Sequence, residues 1–173
     1  AQKDIIGQIG LTLFSLQGTE RAIQFCISLV FPDKHAATWQ DVLNMQDADR
    51  RKTLGQLIQL LNQRADVEKG FRNRMDMFVK KRNRFIHGLF NEPKYQLNEA
   101  KSIARAHNFL MDFQQDIWDI KNIFMGYGIL FAKTLGVEEK IMKAQPEHGK
   151  KHLEETWNEF ISGMGPNFIS PKN

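Results

Sequence analysis

Residues 103–124 read IARAHNFLMDFQQDIWDIKNIF. Within them Ile103, Ala106, Leu110, Phe113, Ile117, Ile120 and Phe124 recur at steps of three and four without a fault, which lays them along one side of an α-helix. A helix with one unbroken apolar stripe buries it against other helices, so this stretch predicts a bundle. The helix begins near Leu97 or Asn98. Gly126-Tyr127-Gly128 is read as a kink or end, with helical character returning through Ile129, Leu130 and Leu135 up to Gly136.

The same period governs nearly every other apolar stretch. No run of β-branched residues alternates at period two for long enough to predict a strand. The predicted fold is all-α, an up-and-down bundle of four main helices with one or two additional helices. A first helix spans about Asp4 to Phe31 and stops at Pro32-Asp33; a polar connection with Trp39, Val42, Leu43 and Met45 then holds a short helical turn. Thr53 and Gln56 form a capping box for a second helix whose buried side is Leu54, Leu57, Ile58, Leu60 and Leu61. Asp66 caps a third helix that runs to His87, with Gly88 as its stop and Asn91-Glu92-Pro93 as the loop beyond. A last helix at about residues 146–161 carries Leu153, Trp157, Phe160 and Ile161. No repeat or linker divides the chain, so residues 1–162 are predicted to form one domain. Residues 163–173, which lack periodicity, are predicted to form an arm or frayed tail.

A chain of 173 residues buries roughly 70% of its unfolded surface without metals or disulfides. The single cysteine, Cys26, lies between Phe25 and Ile27 and reads as a small core residue. It excludes a disulfide within the chain and favours a reducing compartment. Gln8, Gln17, Glu20, Arg21 and Gln24 interrupt the first helix, which makes it a core helix and not a membrane span. The opening residues lack the regions of a signal peptide, and a cytoplasmic location is expected.

Charge is distributed unevenly. Lys69, Arg72, Arg74, Lys80, Lys81, Arg82 and Arg84 face only Asp76 within residues 69–84, so that segment carries +6 of a formal net +4 and leaves −2 on the rest. A basic band on a mildly acidic body is the footprint of a protein that meets phosphates, although a solvated helix face has the same composition. The band ends in Arg82-Asn83-Arg84-Phe85-Ile86-His87. An arginine holds phosphate with a planar fork of donors, and a histidine exchanges a proton near neutral pH.

At about 100° per residue, Phe71, Met75, Phe78, Arg82, Phe85 and Leu89 share one line on this helix. Arg82 therefore sits in the apolar stripe and requires a partner, either an acid from another helix or an anionic ligand. Asn83 and His87, four apart, share a neighbouring face where the amide can orient the imidazole. Arg82 and His87 diverge by about 140° on an ideal helix. Convergence requires long side chains, an unwound last turn at Gly88, or a second copy of the helix.

Arg82-Asn83 followed by His87, on a helix of a small all-α chain, resembles the Arg-x(4–6)-His signature of the HEPN superfamily (higher eukaryotes and prokaryotes nucleotide-binding domains). The resemblance implies a homodimer whose two motifs meet in a cleft and cut RNA without a metal or other cofactor. His87 would be the acid-base residue, Arg82 would stabilise the phosphorane, and Asn83 would orient His87 or the RNA. Lys80, Lys81, Arg84 and Arg74 would guide the RNA backbone. The resemblance also implies a toxin or antiviral-defence setting, with an antitoxin or defence protein as partner. One branch of the family, paired with nucleotidyltransferase antitoxins, has a tyrosine two residues after the histidine. This chain has Gly88-Leu89 there, so regulation through that tyrosine is not expected.

Other histidines point elsewhere. His148 and His152 are separated by Gly149-Lys150-Lys151 and read as an exposed polar face, not a metal site; His107 reads as structural and His35 as a loop residue. Phe71, Phe78, Phe85, Phe109, Phe113 and Phe124 fall at helical spacing and read as core. No glycine-rich phosphate loop or nucleophile elbow is present. Two classes of function remain: a metal-independent endoribonuclease, and a module of the same build that binds nucleotide, RNA or protein without cutting.

Overall fold

A computed structural model of the chain describes residues 2–32, 52–97, 99–163 and 165–171. The connection holding Trp39, Val42, Leu43 and Met45, together with His35, lies outside them. The described residues form an all-α bundle of α1 (Gln2–Leu29), α2 (Leu54–Arg64), α3 (Lys69–His87), α4 (Ala100–Thr134), α5 (Glu138–Ala144) and α6 (Glu147–Ser162). The four long helices are α1, α3, α4 and α6; α2 and α5 are the additional ones. None of these helices is long and apolar enough to cross a membrane.

The α4 stripe is the axis of the core. Ala106, Leu110, Phe113, Ile117, Ile120 and Phe124 are buried, and Phe113 meets the rings of Phe78, Phe85 and Phe109 at centroid distances of 5.7, 5.6 and 6.0 Å. Because Phe71 lies beside Phe124 while Phe85 lies beside Phe113, α3 runs antiparallel to α4. Helix α1 runs parallel to α4: Gln114 donates to the Thr12 hydroxyl at 2.8 Å near one end, and Phe31 sets its edge against Tyr127 near the other.

Helix starts follow local chemistry where nothing distant intervenes. At α2 the predicted capping box is present, with Gln56 N–H donating to Thr53 Oγ1 and Thr53 N–H donating to Gln56 Oε1. At α3 the cap is Glu68, not Asp66. Its carboxylate accepts from the N–H groups of Gly70 and Phe71, both at 2.7 Å, and these bonds hold it below the usual carboxylate range.

Asp66 lies instead in a short strand, β1 (Ala65–Val67), which pairs antiparallel with β2 (Ile169–Pro171) in the register Ala65 to Pro171 and Val67 to Ile169. The end of the chain is consequently no frayed arm in residues 165–171. Phe168 stacks on Phe71 with centroids 5.1 Å apart, and Ile169 is buried. The Tyr127 hydroxyl donates to the Gly165 carbonyl and accepts from the Ile169 N–H, both at 2.6 Å. Burial pushes that phenol up to about 12.

Gly126 does not end α4, which is continuous from Ala100 to Thr134. The glycine is there for close approach: a Cβ on Gly126 would overlap the Phe160 ring of α6, and one on Gly165 would meet the same ring from the tail. Gly126→Ala is expected to destabilise the fold by about 1–3 kcal/mol through overpacking, read as a lower urea midpoint. An unchanged midpoint would show that Phe160 moves aside freely. Gly10 is the opposite case, lying inside α1 where an added Cβ would meet nothing within 4 Å. Gly10→Ala is expected to stabilise by about 0.5–1 kcal/mol, because alanine restricts the unfolded chain and favours the helix.

Candidate functional site

Helix α3 turns Phe71, Met75, Phe78 and Phe85 inward, leaving Arg82 in the same stripe at a point where α1 supplies an acid. Arg82 Nε donates to Glu20 Oε1 at 2.8 Å, with the two side chains 22% and 28% exposed. Its Nη1 donates to Asn83 Oδ1 at 3.3 Å. A guanidinium has five N–H donors, so three have no hydrogen-bond partner among the described residues. Glu20 therefore supplies the partner that the position of Arg82 requires. In the sequence Glu20 reads only as an interruption of the first apolar helix, because its role depends on which face of α1 meets α3.

His87 and Asn83 are both exposed and sit one turn apart on the same face of α3. The helix stays regular to its end: the Gly88 N–H donates to the Arg84 carbonyl at 3.0 Å, and Gly88 has an extended φ of −157°. The last turn is not unwound, so Arg82 and His87 keep their divergence of about 140° within one chain.

The basic band is largely neutralised. Arg74 pairs with Asp119 and Lys81 with Asp116, two acids one turn apart on α4. Arg84 forms a two-pronged pair with Glu92, its Nε donating to Oε1 at 2.6 Å, and its guanidinium lies 4.9 Å from the Tyr95 ring centroid. The Arg84 hydrogen bonds hold the Glu92 carboxyl below its ordinary range and raise the guanidinium further. A depressed carboxylate stabilises above its unfolded value, so this contribution disappears as pH falls through the folded value. Of the four residues expected to guide RNA, only Lys80 is exposed and without an ion pair to a described residue.

The remaining histidines are dispersed. His107 and His148 are exposed, and His152 lies against Trp118 with ring centroids 5.8 Å apart. Among the described residues no group of three or more His, Cys, Asp or Glu is placed to hold a metal ion. Cys26 is fully buried, and burial pushes its thiol up, away from reactive thiolate. Comparison with known protein families, with curated proteins and with solved structures finds no match.

Proposed function

We propose that the protein is a metal-independent endoribonuclease of the HEPN type, acting as a homodimer. The reading rests on one arrangement: Arg82 is held at Nε by Glu20 and at Nη1 by Asn83 with three donors left over, while His87 stands exposed one turn beyond Asn83. In the proposed reaction His87 takes the proton of a ribose 2′-hydroxyl, whose oxygen attacks the adjacent phosphorus. The bond to the 5′-oxygen breaks, that oxygen takes up the proton His87 accepted, and the products are a 2′,3′-cyclic phosphate and a 5′-hydroxyl. Arg82 offsets the charge of the phosphorane through the preorganised donors that Glu20 and Asn83 leave unused.

The divergence of Arg82 and His87 on a regular helix supports a site completed by a second copy. Such a nuclease fits a cytoplasmic toxin or antiviral-defence setting, restrained or triggered by an antitoxin or defence protein. A second reading, a module that binds nucleotide, RNA or protein without cutting, is favoured by one observation. Arg74, Lys81, Arg82 and Arg84 all have acidic partners within the fold.

The separating experiment is incubation of the purified protein with mixed RNA in EDTA, beside Arg82→Ala and His87→Ala. Cleavage by the parent with cyclic-phosphate ends, absent in both variants, is expected. A parent that cuts nothing, or variants that cut as well as the parent, sinks the nuclease reading and leaves the binding module.

A further inference from the structure

A groove of about 420 Å³ opens between α1 and α4. Phe14 and Trp118 stand at it with 76% and 45% of their surface exposed, and Gly18 lines it. Two cations, Arg21 and Lys121, also line it, and no carboxylate does. Neither makes an ion pair with a described residue, in contrast to the neutralised band on α3. His152 covers part of the Trp118 indole and leaves the rest open. Gln17 and Arg21 line a neighbouring groove as well, and that groove contains Glu20, the residue that holds Arg82. The two grooves thus share Gln17 and Arg21 as lining, and the second reaches the residue bonded to Arg82.

From this combination we infer that the α1–α4 groove binds a single-stranded stretch of RNA, with bases against Trp118 and Phe14 and phosphates against Arg21 and Lys121. The chemistry that recognises such a strand is an aromatic platform beside unpaired cations; a duplex hides the base faces that the aromatics would cover. Cations without an ion-pair partner among the described residues match a polyanion, whereas a purely apolar partner would leave Arg21 and Lys121 desolvated and unpaired. The inference extends the nuclease reading, on which its direction rests: the strand anchored here leads past Glu20 to Arg82.

The test uses a fluorescein-labelled oligodeoxythymidine, which lacks the 2′-hydroxyl and cannot be cut by the proposed reaction, so binding is read apart from cleavage. Trp118→Ala is expected to weaken its binding about tenfold. Arg21→Ala and Lys121→Ala together are expected to flatten the slope of log affinity against log salt by about 1.4, or ~0.7 for each lost phosphate contact on a single strand. Gly18→Leu, which fills the groove without altering charge, is expected to weaken binding comparably to Trp118→Ala, and affinity for a duplex is expected to stay the same in these two variants. No binding by the parent, or variants that bind as the parent does, overturns the proposal. If this face instead pairs two copies of the chain, Trp118→Ala and Gly18→Leu will lower the sedimentation coefficient without changing oligonucleotide affinity, which also overturns it. A parent that binds the probe in this groove yet cuts no RNA removes the nuclease reading and leaves the groove standing.

Discussion

In the proposed nuclease, replacing His87 by alanine is expected to slow RNA cleavage by about 10²- to 10⁴-fold, the usual contribution of a positioned general acid-base group. The folded state should be nearly indifferent, because His87 is exposed and surface substitutions fall within about 0.5 kcal/mol. Lost activity with an unchanged urea midpoint is therefore the signature to look for. Arg82→Lys should fail to restore what Arg82→Ala loses, since an ammonium cannot bind Glu20 through one edge and present a planar fork through the other. Mixing Arg82→Ala chains with His87→Ala chains tests the arrangement across copies. A mixed dimer holds one site with both residues intact, so activity should return to about a quarter of the parent under two-fold symmetry and random pairing. Mixed chains no more active than either variant alone would remove the shared site.

The largest stability effect is expected at Phe113. Its ring is fully buried and touches Phe78 and Phe85 of α3 and Phe109 of α4. Phe113→Ala removes the centre of that cluster and should cost about 3–5 kcal/mol, combining lost transfer energy with the cavity left behind. Equilibrium urea unfolding measures it. A loss below about 1 kcal/mol would mean that α3 collapses onto α4, and the position of Phe113 as core axis would fall.

The features legible in the sequence are those fixed by neighbours along the chain. The stripe from Ile103 to Phe124 and the Thr53–Gln56 box each depend on residues within a turn or two, and both occur where read. Contacts between distant segments leave no such local trace. Asp66 has the chemistry of a cap, but pairing with Ser170 draws it into β1 and passes the cap to Glu68. Strands of three residues show no alternation to read. Gly126 resembles a helix breaker until Phe160 is known to press against it.

At the candidate site, the need of Arg82 for a partner follows from its place in the stripe, while the identity of Glu20 requires the packing of α1. The basic band misleads most. Asp116 and Asp119 are one turn apart in the sequence, yet only the antiparallel register of α3 and α4 brings them to Lys81 and Arg74.

The β1–β2 ladder joins positions more than a hundred residues apart, from Val67 with Ile169 to Ala65 with Pro171. During synthesis α3 therefore emerges long before the segment that fixes its starting end. Until Phe168 reaches Phe71 and Ile169 reaches Tyr127, the nascent helix lacks its clamp and leaves apolar rings open to other chains. Closing so distant a contact also slows folding, so the proposed catalytic helix gains its final anchorage only after roughly a hundred further residues have been added to the chain.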